Sequence, residues 1–230
     1  MNPKPRHGYT IYCAAGLRIN PAWYLLLPII LMAVLAAPAT AETRSAPVIL
    51  ALGDSLTAGY GLAPEKSFPS QLEAALARNG IVVQVVNGGV SGDTSAGGLA
   101  RLDWLLADRP DVVIVELGAN DGLRGLEPDV THRNLDGIVT RIRAAGADVV
   151  LAGMRAPPNL GSEYGTAFAA LYTDLAEKHG VAYYPFFLEG VAANPALNQE
   201  DGIHPTAEGI AVIVENILPV VTSALVEAGR

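Results

Sequence analysis

The sequence predicts an α/β fold: a single three-layer α/β/α domain with a five-stranded parallel sheet. Three observations carry that expectation. Short apolar runs alternate with stretches whose apolar residues recur at helical spacing. Within the runs polar and apolar residues do not alternate, as expected of strands covered on both faces. The loops after the runs turn glycine-rich and polar, and in open α/β sheets that rim is where ligands collect.

The strands are expected at about 47–52, 81–87, 111–117, 148–153 and 181–185, each rich in Val, Ile, Leu or Tyr. Helical patterns fall between them at about 68–79, 95–107, 129–145 and 163–179, with a last one at about 205–227. The first strand, Val48 to Leu52, runs into Gly53, and the polarity then reverses at Asp54-Ser55. The later rim loops carry Asn87-Gly88-Gly89-Val90-Ser91-Gly92-Asp93, Gly118-Ala119-Asn120-Asp121-Gly122 and Pro157-Pro158-Asn159. Any one of them could be an ordinary turn; several on one rim point to a site.

Ahead of the first strand, Lys4, Arg6 and Arg18 precede an apolar stretch from Ala22 to Ala37, with no acidic residue before Glu42. Ala39-Thr40-Ala41 offers small residues at the two positions a signal peptidase reads. Residues 1–41 are therefore expected to be a signal peptide and residues 42–230 the catalytic domain. The alternative is a retained membrane anchor, for which this Pro28-containing run is short of the roughly 20 residues a span needs. The only cysteine, Cys13, lies in the leader, so the mature domain is expected to hold together through its core alone. Net charge is −8, and removing three basic residues with the leader makes the rest more acidic. That argues against nucleic acid as a partner, because phosphate binding needs a basic patch.

A serine at the end of the first strand is a candidate nucleophile, although serine after a glycine turn is also a common helix cap. It needs a base. His132 and His179 sit in polar parts of helical patterns and are expected on the solvated surface. His204 lies in Asp201-Gly202-Ile203-His204-Pro205, with Pro205 suited to the first turn of the last helix. Asp201, three residues before, can fold back to the ring's far nitrogen, select the tautomer and stabilise the imidazolium. An oxyanion site could take the Ser55 N–H, the Gly92 N–H and the Asn120 side-chain amide. No His, Cys and carboxylate group has metal-ligand spacing.

These blocks resemble those of the GDSL, or SGNH, hydrolases. Gly53-Asp54-Ser55-Leu56, Gly92 in Ser91-Gly92-Asp93-Thr94, Gly118-Ala119-Asn120-Asp121 and Asp201-Gly202-Ile203-His204-Pro205 come in that family's order. Gly92-Asp93-Thr94-Ser95, Gly98-Leu99-Ala100-Arg101-Leu102 and Tyr184-Pro185-Phe186-Phe187 are most similar to its periplasmic thioesterase I/lysophospholipase L1/arylesterase group. The resemblance implies a flavodoxin-like strand order, Ser55 as nucleophile, His204 as base and Asp201 as orienter. It implies Ser55, Gly92 and Asn120 as the oxyanion hole, ester or thioester substrates, no cofactor and a periplasmic location. Asp54, beside the serine, and Leu160, where that group more often carries an aromatic residue, become candidate substrate contacts. A carbohydrate O-deacetylase of the same fold and a non-catalytic binding module are the rivals. A nucleotide-binding reading is weaker, since the first turn lacks Gly-x-Gly-x-x-Gly and has an acid where phosphate would approach.

Overall fold

The parallel sheet has the strand order β2-β1-β3-β4-β5, with β1 Val48–Gly53, β2 Gln84–Gly89, β3 Val112–Glu116, β4 Asp148–Ala152 and β5 Ala182–Tyr184. The structure, a computed structural model, describes residues 46–229; the expected signal peptide, 1–41, lies outside the described residues. Leu50 faces Val86 on one side and Val113 on the other. All five residues of β3 are buried, and so are all but the first of β1 and of β4. Central strands sandwiched between helices have no polar face, hence their unbroken apolar sequences.

Among the described residues, seven α-helices complete the layers: α1 Ser55–Ala58, α2 Phe68–Arg78, α3 Ser95–Leu106, α4 Ala119–Leu123, α5 Pro128–Ala144, α6 Ser162–His179 and α7 Ala207–Glu227. Helices α2 and α7 pack together, while α5 packs between α3 and α6. Helix α7 is long and apolar enough to cross a membrane by length and composition. In this fold it lays Ile210, Ile213, Ile217 and Val221 into the core against α2, β4 and β5.

Three departures from the sequence expectation have physical causes. Strand β2 starts at Gln84 rather than near residue 81. Gly80, at φ +78°, ends the α2 turn, and the Ile81 N–H closes it by donating to the Leu76 carbonyl. Residues 81–83 are thereby spent as a link, and Val82 stands 74% exposed at the sheet edge. Helix α7 starts at Ala207 rather than at Pro205, because Pro205 is held in an antiparallel bridge with Asn198 and Thr206 caps the helix. Helices α1 and α4 were not expected at all; four and five residues are too few to show a helical repeat.

With β1 between β2 and β3, the connection leaving β1 runs outward to β2 and the one leaving β3 runs the opposite way to β4. The C-terminal ends of β1 and β3 therefore open the crevice where such sheets hold their ligands. The end of β2 presses on α1 there: a Cβ on Gly89 would stand 2.7 Å from the Ala58 Cα and would overlap its backbone nitrogen. Glycine at this position lets α1 seat on the sheet, and α1 begins with Ser55.

Candidate active site

Where β1 ends, Asp54 is the residue that caps α1: its Oδ1 accepts the Leu56 N–H at 3.0 Å. Ser55 is thus the first helical residue, and its hydroxyl is not spent on the cap. That hydroxyl lies 3.0 Å from His204 Nε2. His204 Nδ1 lies 2.7 Å from Asp201 Oδ2, and Asp201 Oδ1 accepts the N–H groups of Ile203 and His204, each at 3.0 Å. The His204 N–H, then the ring, then the Ile203 N–H hold the Asp201 carboxyl down to about 2, so it stays ionised. The three side chains form one unbroken line.

Asn120 reaches the same place from β3. The chain leaves that strand through Leu117 and Gly118, which sits at φ +115° with the Tyr172 hydroxyl so close that a Cβ would overlap it. Tyr172 donates that hydroxyl to the Leu117 carbonyl at 2.9 Å. Asn120 Nδ2 then donates to Asp54 Oδ2 at 2.9 Å, which orients the amide beside Ser55. The next residue, buried Asp121, accepts from Ser95 N–H at 2.8 Å and Thr131 hydroxyl at 3.2 Å, anchoring α4 to α3 and α5. Gly92 takes φ +81° in its turn, and its carbonyl accepts from Arg124 at 3.0 Å. Arg101 pairs with Asp93 at 2.7 Å and donates to the Gly53 carbonyl at 3.0 Å, fastening this loop to the end of β1.

Ser55, Gly92, Asn120 and His204 line a cavity of about 490 Å³. Its walls are mostly apolar, with Met154, Pro157, Pro158, Phe186, Leu188 and Ile203 among them. Met154 comes from the loop that the resemblance sets beside the acyl pocket and Ile203 from the block that carries His204, whereas nothing in the sequence marks Leu188. Phe186 lay in a stretch singled out by resemblance, and its neighbour Phe187 is core. Asp54 also borders the cavity, but its carboxylate is engaged with Leu56 and Asn120. Leu160 lies on a 3-10 turn, half-buried and facing Gly125; from its loop, Met154, Arg155, Ala156, Pro157 and Pro158 line the cavity and Leu160 does not.

His179 departs from its expected place on the solvated surface. Its side chain is only 12% exposed and lies 2.6 Å from Asp136, which also holds Lys178, so the trio ties the end of α6 to α5. Among the described residues no group of three His, Cys, Asp or Glu side chains could hold a metal ion.

Beneath Ser55 lies a second carboxyl. Glu116, at the end of β3, is fully buried and accepts the Thr57 hydroxyl at 2.7 Å and the Asp54 N–H at 3.4 Å; among the described residues its Oε1 has no hydrogen-bond partner. Burial, and then the charge of Asp54, push it well above its ordinary 4.5. Burial likewise raises Asp54, against the pull of the Leu56 N–H and the Asn120 amide. A carboxyl raised on folding contributes stability that is complete below its unfolded pKa and is lost as pH climbs through the folded one. Stability is therefore expected to decline as pH rises from about 4.5 upward, and Glu116→Gln, which keeps the shape without the titration, to flatten the decline. Thermal melts across pH 4 to 9 measure it, and parallel profiles for the two proteins would assign the titration to another group.

A model of the GDSL-like Lipase/Acylhydrolase family matches residues 51–212. The chain is 46% identical over 177 residues to an arylesterase of Vibrio mimicus, covering 76% of this chain and 88% of that one. It is 41% identical over 177 residues to thioesterase 1/protease 1/lysophospholipase L1 of Escherichia coli (strain K12), covering 76% and 84%. A crystal structure of TesA is similar at TM-score 0.74 and 43% identity, covering 77% of this chain and 99% of that one.

Proposed function

The chain belongs to the GDSL-like lipase/acylhydrolase family and is a serine ester hydrolase, and from that premise we propose which residues perform the two acyl-transfer steps. Ser55 Oγ attacks the acyl carbonyl carbon while His204 Nε2 takes its proton, and Asp201 stabilises the imidazolium. The negative charge on the carbonyl oxygen is held by the N–H groups of Ser55 and Gly92 and the Asn120 amide. Collapse expels the alcohol or thiol, which takes the proton from His204, and leaves an acyl ester on Ser55. Water then attacks that ester, giving its proton to His204, and a second collapse releases the acid and restores the serine.

The observation that carries this reading is the line from Asp201 through His204 to Ser55, at 2.7 and 3.0 Å, ending at an apolar cavity. Its substrates are small-molecule carboxylic esters, and we extend them to thioesters because a thioesterase is among the relatives. The apolar walls are the place for the acyl chain. We read residues 1–41 as the leader of a periplasmic protein, which cell fractionation checks.

An acyl-length series from acetyl upward, as p-nitrophenyl esters and as thioesters, tests the substrate reading. Each methylene that enters the cavity should improve kcat/KM by up to about fourfold, the equivalent of about 0.8 kcal/mol, until the chain outgrows the space. A series with no dependence on length would remove the acyl chain from that cavity.

A further inference from the structure

We infer that Gln199 is a positioning residue which, acting through Tyr60, holds the base in register with the nucleophile. The inference rests on Ser55 and His204 being that pair. They stand 149 residues apart in sequence, Ser55 on the rim after β1 and His204 in the link between β5 and α7. Gln199 spans the two segments. Its backbone N–H donates to the His204 carbonyl at 2.7 Å. Its side-chain Nε2 donates to the Tyr60 carbonyl at 2.8 Å and to the Pro205 carbonyl at 3.0 Å. One residue thus holds the chain five residues after Ser55 and the carbonyls of both His204 and Pro205. Its carbonyl accepts the Gly202 N–H at 2.9 Å, closing the turn that carries Asp201.

The grip on Tyr60 matters because of where that ring lies. Its centroid is 4.5 Å from that of the His204 imidazole, with the planes 34° apart. Asp201 pins Nδ1, but a ring held at one nitrogen can still swing Nε2 away from the serine. Tyr60 packs against one face of that ring and closes that side to such a swing. The chain after Tyr60 is shaped around the same amide: Gly61 sits at φ +74°, and a Cβ there would overlap Gln199 Oε1. Proton transfer needs Ser55 and His204 within hydrogen-bond reach, and a misplacement of about 1 Å can cost about 100-fold.

The test compares the wild-type protein with Gln199→Ala, Gln199→Glu, Tyr60→Ala and Tyr60→Phe. Two readouts are kcat and KM on a short p-nitrophenyl ester, and the rate at which a fluorophosphonate modifies Ser55, followed by mass spectrometry. Gln199→Ala should lower both kcat and the modification rate by about 10- to 100-fold, with KM changed much less. Gln199→Glu, which points a carboxylate at two carbonyls, should lose at least as much. Tyr60→Ala should match Gln199→Ala, whereas Tyr60→Phe keeps the ring and should restore the wild-type modification rate. Because the two act through one contact, the Gln199→Ala/Tyr60→Ala double variant should lose less than the product of the single losses. Wild-type modification rates in both Gln199 variants would overturn the inference. So would losses that merely track the unfolded fraction in a thermal melt. If Gln199→Ala does not fold, the contrast between Tyr60→Ala and Tyr60→Phe decides. A wild-type protein that turns over ester yet is never modified at Ser55 would instead refute the assignment of the nucleophile.

Discussion

Ser55→Ala is expected to lower kcat for an ester by about 10⁴- to 10⁶-fold while leaving the fold intact. The size follows from the division of labour at the rim. On the proposed roles, without the Ser55 oxygen no acyl-enzyme can form, and His204, Asn120 and Gly92 are left able only to assist direct attack by water. The intact fold follows from what the hydroxyl does not do. Asp54 caps α1, so replacing Ser55 removes no helix cap, and among the described residues the Ser55 hydroxyl bonds to His204 alone. A thermal melt should place the variant within about 0.5 kcal/mol of wild type, and fluorophosphonate labelling should vanish. Turnover within tenfold of wild type would end the case for Ser55 as nucleophile.

That distinction between cap and nucleophile is one the residues alone leave open. Aspartate and serine are both favoured at a helix N-terminus, and Asp54-Ser55 can be read either way round. Only the backbone path, with Asp54 at φ −107° and ψ −139°, decides that the aspartate caps and the serine is free. The same holds for the second duty of Asp54: its bond to Asn120 joins residues 66 apart in sequence, through no local pattern. What was legible had a local signal. Asp201 and His204 are three residues apart and close their contact within one turn. Strands β1, β3 and β4 are flanked on both sides by other strands and covered on both faces, so burial is written into every position but the first of β1 and of β4. Strand β2 lies at the edge, where burial is partial and the turn before it takes up Ile81. The Tyr60–Gln199 bond, spanning 139 residues, has no sequence signature. Leu188 on the cavity wall is equally silent, because it belongs to a loop whose apolar residues read no differently from core.

Asn120→Ala is expected to cost about 100- to 1,000-fold in kcat with little change in KM. An oxyanion donor bonds strongly to a charge that exists in the tetrahedral state and weakly to the neutral carbonyl that precedes it, so its loss falls on the chemical step. The amide is preorganised for that task. Asp54 takes one of its Nδ2 hydrogens at 2.9 Å, which fixes the plane and leaves the other available to the site. Truncation should leave α4 standing, because Asp121 anchors that helix through Ser95 and Thr131. Asn120→Asp separates electrostatics from mere size. It keeps the side chain's shape but sets a carboxylate against the buried Asp54, so it should lose more activity than alanine and stability as well. Steady-state kinetics with thermal melts on the three proteins read both effects. A loss in Asn120→Ala that appears in KM alone would make the residue a ground-state contact and leave the oxyanion to the backbone N–H groups of Ser55 and Gly92.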